Sequence, residues 1–172
     1  MDYNLARQNM IEQQIRTWDV LDQRILDLLA EIHREDFIPA DYKSLALADM
    51  NIPLGNEQVA MTPKMEARIL QSLDITDRDR ILEIGTGCGY LTALLSRLGN
   101  EVCTVDIIPE FSEQTKHKLV DNNIHNVTIK TGDALLGWPK DGPYDVIVVT
   151  GSIPSLIDEY RQQLSHNGRL FA

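Results

Sequence analysis

Residues 80–90 read R-I-L-E-I-G-T-G-C-G-Y, and this stretch decides the fold. Ile81, Leu82 and Ile84 make a short apolar run of the kind that forms a strand. Gly85, Gly87 and Gly89 follow at alternate positions, and Leu91, Leu94, Leu95 and Leu98 then recur at helical spacing. A strand, a glycine bend and a helix in that order bring backbone N–H groups and a helix N-terminus up to a nucleotide-like ligand. A bare turn between strand and helix needs one glycine, so three at alternate positions favour a cradle. The dinucleotide fingerprint spaces its glycines G-x-G-x-x-G and seats a pyrophosphate. Here Glu83 leads the bend; its carboxylate would repel a pyrophosphate, and it is expected to receive the ammonium of an amino acid.

Beyond the bend, strands are predicted at 80–84, 101–106, 127–131, 145–149 and 169–172, with helices at 90–98, 109–122 and 155–164. Such alternation means a mostly parallel sheet with helices on both faces. The continuously apolar V-I-V-V of 146–149 suits a strand covered on both sides. The second strand ends in Asp106, about 20 positions past Gly85, where a carboxylate can accept both hydroxyls of a ribose. The third ends T-G-D-A, placing Gly132 and Asp133 beside the adenine end of such a ligand. Asp133 either accepts from an exocyclic amine or closes a tight turn. The fourth ends at Thr150 and Gly151, the loop where strand order should reverse and open α/β sheets bind their ligands.

Upstream, residues 2–34 read as two amphipathic helices, one carrying Leu5, Ala6, Met10, Ile11 and Ile15 on a single face, the other Ile25, Leu28, Leu29 and Ile32 behind an Asp22 N-cap. Residues 35–58 have no clear period but enough apolar side chains to be an ordered loop. Thr62 is the expected N-cap of a helix with Pro63 at its first position and Met65, Ile69, Leu70 and Leu73 inward. The expected organisation is one domain over 1–172: a helical cap and substrate-side loop over 1–75, then a Rossmann-like, doubly wound core over 76–172.

The 172 residues carry a formal net charge of −10, which argues against broad binding to nucleic acid or an anionic membrane. Cys88 and Cys103 form neither a disulfide framework nor a metal spacing, which suits a reducing cytoplasm. His33, His117, His125 and His166 are scattered, and no catalytic dyad is read from them.

The spelling E-x-G-x-G-x-G resembles the first motif of class I S-adenosylmethionine-dependent methyltransferases, whose cofactor has an adenosine, a methionine tail and no phosphate. Other stretches narrow the likeness. H-R-E-D-F-I-P (33–39), I-P-L-G (52–55), L-E-I-G-T-G-C-G-Y (82–90), G-D-A-x-x-G-W-P (132–139), Y-D-V-I-V-V-T (144–150) and Q-L-x-x-x-G-R-L (163–170) resemble segments of the protein-L-isoaspartate O-methyltransferases over nearly the whole chain. The resemblance implies S-adenosyl-L-methionine as cofactor, no metal, and methylation of L-isoaspartyl carboxyls in damaged proteins or peptides, a protein-repair reaction. The cofactor residues it implies are Glu83, Gly85, Thr86, Gly87, Gly89 and Tyr90 from the bend, Asp106 and Ile107 from the second strand, Gly132, Asp133 and Ala134 from the third, and Thr150 from the fourth. A monomer with a protein or peptide substrate, no nucleic acid and no membrane is expected.

Two positions depart from the family pattern. Met61 stands where the family places its active-site serine, leaving Thr62 as the candidate catalytic hydroxyl. The apolar strand at 169–172 ends on Ala172, where family members continue, so a C-terminally truncated sheet is expected. A methyltransferase with another acceptor and a cofactor-binding module without turnover remain as alternatives.

Overall fold

The computed structural model describes residues 2–153 and 155–172. The chain forms two compact units, Met1–Asp74 and Ile75–Ala172.

In the first unit, α1 (Tyr3–Met10) starts on Asp2, whose carboxylate accepts from the N–H groups of Asn4 and Leu5. It widens into a π turn over Ile11–Ile15 and tightens into a 3-10 turn over Arg16–Trp18. The apolar period persists through these changes of pitch, and Met10 and Ile15 are fully buried. Helix α2 (Gln23–Glu31) is capped by Asp22, as its sequence predicts.

The connector is more regular than its sequence suggests. It holds 3-10 turns at Arg34–Asp36 and Ala40–Leu45, then an antiparallel hairpin of β1 (Ile52–Gly55) and β2 (Gln58–Ala60). The two-residue turn puts both Asn56 and Glu57 at positive φ, the geometry that matches hairpin twist. Strands this short show no alternation, and glutamate is an unusual turn residue, so the hairpin leaves little trace in the sequence. Helix α3 (Pro63–Leu73) closes the unit.

The second unit is a five-stranded parallel sheet: β3 (Arg80–Ile84), β4 (Glu101–Asp106), β5 (Val127–Thr131), β6 (Tyr144–Val149) and β7 (Leu164–Phe171), in the order β5-β4-β3-β6-β7. The order reverses between β4 and β6, the neighbours of β3. Helices α4 (Tyr90–Leu98) and α5 (Pro109–Asp121) serve one face, with Thr92 of α4 bonded to Glu83. Alternation then turns Leu82, Cys103, Val105, Ile147 and Val149 to the other face, where they pack with Tyr144 and with Tyr160 of α6 (Asp158–Gln162). Each fully buried aliphatic side chain of this kind contributes about 1.5–3 kcal/mol.

Two elements differ from expectation. Helix α6 covers less than the predicted 155–164: Ile157 is extended, the acidic pair Asp158 and Glu159 opens the helix, and Gln163 ends it. Strand β7 begins five residues before the predicted 169, because Leu164 already pairs with Tyr144; an irregularity containing Asn167 at positive φ precedes the Arg169–Val146 pairing and hides the strand's first half. No helix among the described residues is long and apolar enough to cross a membrane.

Candidate cofactor site and acceptor-side segment

The C-terminal tips of β3, β4, β5 and β6 are tied together by hydrogen bonds. The Gly85 N–H donates to the Val105 carbonyl at 2.8 Å and the Gly132 N–H to the Asp106 carbonyl at 2.9 Å. The Thr150 hydroxyl lies within hydrogen-bonding distance of the Ile84 and Gly85 carbonyls, at 3.0 and 2.7 Å. Four sequence segments thus become one constellation, at the strand ends and at the switch in strand order where ligands of open α/β sheets bind.

The bend owes its shape to backbone that side chains disfavour. Gly85 and Gly89 sit at φ +100° and +85°, and a Cβ on Gly89 would come within 2.6 Å of the Thr115 hydroxyl. Asp106 is largely buried at the tip of β4. Its Oδ2 accepts from the Gly87 N–H and its Oδ1 from the Ile108 N–H, both at 2.9 Å. An ionised carboxylate has about four acceptor positions, so both oxygens retain capacity for hydroxyl donors. Ile107, next in sequence, is 65% exposed.

Glu83 is buried within the sheet. Residue 83 pairs in register with Thr104, and both side chains turn to the helix-covered face. The carboxylate is fully buried, and its Oε2 accepts from Thr92 at 2.5 Å and Thr104 at 2.7 Å. It therefore lies beneath the bend; strand alternation, invisible in a motif, is the reason. Tyr90 is likewise fully buried at the start of α4, and Ala134 packs in the core with Cys103 and Tyr144. Asp133 is exposed and accepts from the Leu135 N–H at 2.8 Å, the tight-turn role. All four histidines are exposed.

Sequence reasoning passed over three features. Thr92 and Thr104 are the hydroxyls under the bend. Leu135 and Leu136, 50% and 60% exposed, sit beside Gly132; their signal was two adjacent leucines between turn residues. Gln163 holds that loop: its Oε1 accepts from the Trp138 N–H at 2.7 Å, and its Nε2 donates to the carbonyls of Leu136 at 2.8 Å and Glu159 at 3.0 Å. Gln163→Leu keeps the volume but strands three backbone groups, so it is expected to cost about 2 kcal/mol in urea unfolding.

Burial pulls the Lys118 ammonium below its ordinary value, with Cys88 beside it opposing the shift; it donates to the Cys88 carbonyl in the bend at 3.1 Å. Burial also pushes the Cys103 thiol up to about 11, so it stays protonated at neutral pH. Among the described residues there is no cluster of three His, Cys, Asp or Glu able to hold a metal.

In the first unit, Thr62 has the extended backbone of an N-cap, but its side chain does not cap. The Met65 and Glu66 N–H groups donate to its backbone carbonyl at 3.0 and 3.2 Å. Its Oγ1 is buried without a hydrogen-bond partner among the described residues. The Met61 carbonyl next to it accepts from the Arg34 guanidinium at 2.6 Å.

A likeness to known proteins runs through both units. The family model described as protein-L-isoaspartate(D-aspartate) O-methyltransferase matches residues 5–172. A protein-L-isoaspartate O-methyltransferase of Geobacter metallireducens is 34% identical over 170 residues, which is 99% of this chain and 79% of that protein. One from Erwinia tasmaniensis is 38% identical over 155 residues, 90% of this chain and 74% of that protein. A solved protein-L-isoaspartate O-methyltransferase superposes with a TM-score of 0.83 at 29% identity, covering 95% of this chain, which spans 54% of that one. A Plasmodium falciparum structure in complex with S-adenosyl-L-homocysteine shares the fold, with a TM-score of 0.79 at 16% identity, covering 99% of this chain and 83% of that one. With the family model spanning both units and relatives above 30% identity along most of their length, the chain belongs to the protein-L-isoaspartate(D-aspartate) O-methyltransferase family.

Proposed function

We propose that this chain methylates the free carboxylate of L-isoaspartyl residues in damaged proteins or peptides, with S-adenosyl-L-methionine as donor. The observation that carries the proposal is the tied set of strand tips around Asp106, in a chain of this family. The tip residues suit the cofactor chemically. Gly85 to Tyr90, Asp106, Ile107, Gly132 to Ala134 and Thr150 include two carboxylates and no lysine or arginine, a set matched to hydroxyl and amine donors and not to a pyrophosphate. Asp106 accepts the ribose hydroxyls, the exposed Ile107 covers an adenine face, and the bend with the N-terminus of α4 receives the amino-acid tail.

The bound cofactor supplies a sulfonium methyl already activated for transfer. The acceptor carboxylate, with a pKa near ~4, is ionised at neutral pH and needs no general base. A lone pair of its oxygen forms the new bond to the methyl carbon as the carbon–sulfur bond breaks and that electron pair stays on sulfur. The protein's task is alignment and exclusion of water. Thr62 donates its hydroxyl to the second oxygen of the carboxylate; a buried hydroxyl with no partner of its own is suited to that role.

Incorporation of labelled methyl from S-adenosyl-L-methionine into an isoaspartyl peptide, against its aspartyl twin, tests the reading. Thr62→Val is expected to lower kcat at least about tenfold, one hydrogen bond's worth, while S-adenosylhomocysteine affinity stays within about twofold. Equal loss of both would make Thr62 structural. Met61 in the serine position favours a second reading, a different acceptor. Cofactor binding without methylation of the isoaspartyl peptide would select it. The net charge of −10 and the two buried cysteines support a cytoplasmic monomer that binds neither nucleic acid nor membrane. Cell fractionation and size-exclusion chromatography test the compartment and the oligomeric state.

A further inference from the structure

Beneath the glycine bend lies a chain of hydroxyls ending on a carboxylate. Glu83 and Thr104 face each other on β3 and β4. Thr104 donates to Glu83 Oε2 at 2.7 Å, and the Thr86 and Thr104 hydroxyl oxygens are also 2.7 Å apart. A hydroxyl has one proton. That of Thr104 is committed to Glu83, so Thr86 must be the donor to Thr104. The direction of the whole chain, Thr86 to Thr104 to Glu83, is therefore set by the acceptor oxygen of Glu83 at its inner end. Sequential hydrogen bonds of this kind are stronger than isolated ones.

Thr86 stands between Gly85 and Gly87, both at positive φ, the freest backbone in the bend. Its side chain is the anchor between them. The next N–H, that of Gly87, donates to Asp106 Oδ2 at 2.9 Å. Asp106 lies two residues beyond Thr104 on the same face of β4. Buried Glu83, hydroxyl chain, bend and Asp106 thus form one connected path.

We propose that Glu83 and Thr104 are positioning residues for the cofactor: acting through Thr86, they hold the Gly87 N–H on Asp106 and so orient the carboxylate for the ribose, without touching the ligand themselves. The inference rests on the cofactor reading above. It differs from a plain stabilising role, which would affect folding but leave the geometry of the bend alone.

The test combines two readouts on wild type, Thr104→Val and Thr104→Ser. Calorimetric titration with S-adenosylhomocysteine is expected to show affinity weakened about tenfold in the valine variant, the scale of one lost hydrogen bond, and within about twofold of wild type in the serine variant. Amide hydrogen exchange of Gly87 in the ligand-free protein is expected to quicken in the valine variant and to return to the wild-type rate with serine. Wild-type Gly87 exchange in Thr104→Val, or equal loss in both variants, overturns the proposal. Should the wild type take up no S-adenosylhomocysteine, the cofactor reading fails while the exchange arm still decides this one. If urea unfolding shows Thr104→Val to be unfolded, Thr86→Val cuts the chain at its outer end and is read the same way.

Discussion

Gly85→Ala is expected to weaken S-adenosylhomocysteine binding by at least about 100-fold, some 2.7 kcal/mol, and to destabilise the fold by about 3 kcal/mol. The residue sits at φ +100°, where alanine is strained. The added Cβ would also run into the Thr150 hydroxyl and lie 3.2 Å from the Gly151 nitrogen. Thr150 cannot simply move away, because its hydroxyl also meets the Ile84 and Gly85 carbonyls. Relief would have to come from parting the tips of β3 and β6, which is the site itself. Gly151→Ala is the control: a Cβ there meets nothing within 4 Å, so the change in stability should stay within about 0.5 kcal/mol. Calorimetry and urea unfolding read both variants, and equal behaviour of the two would contradict this account of the bend.

The second large effect belongs to Arg34. Its guanidinium is fully buried and donates from Nε to Glu66 at 3.0 Å, from Nη1 to the Ala46 carbonyl and from Nη2 to the Met61 carbonyl at 2.6 Å. It joins the connector, the segment carrying Thr62 and helix α3. Arg34→Met is expected to cost about 4 kcal/mol, because it leaves a buried carboxylate without its cation. Adding Glu66→Leu should recover a good part of that, since an apolar pair replaces the ion pair, while the two carbonyls stay without Arg34.

The pH dependence has a definite sign. Burial raises the Glu66 carboxyl above its ordinary value despite the opposing pull of Arg34. With Arg34 gone, that opposition disappears and the folded state holds the Glu66 proton still more strongly than the unfolded chain. Stability of Arg34→Met should therefore rise as pH falls through the raised folded-state pKa and be lost as pH climbs through it. Urea unfolding of the single and double variants from neutral to mildly acidic pH checks this: the gap between them should narrow on acidification, and a widening gap would sink the argument.

Local signals carried much of the architecture. The apolar runs at 80–84 and 146–149, the glycine bend and the Asp106 strand end all read correctly because each is a nearest-neighbour pattern: period, turn chemistry and strand termination reside in adjacent residues. The short hairpin at 52–60 and the first half of β7 escaped for the converse reason. Their pairing is made by partners elsewhere, through strands too short or too irregular to show a period.

The site divides along the same line. That residues 85–90, 106, 132 and 150 come together at the strand tips was legible from glycine spacing and strand ends. Which of their side chains are buried was decided by packing. Register places Glu83 opposite Thr104 and under the bend, Tyr90 and Ala134 turn into the core, and the Thr62 side chain makes no capping bond. A sequence states which side chains are near in the chain; the face a strand buries, and the partner a buried polar group finds there, exist only once the sheet has formed, because alternation and burial are properties of the assembled layers.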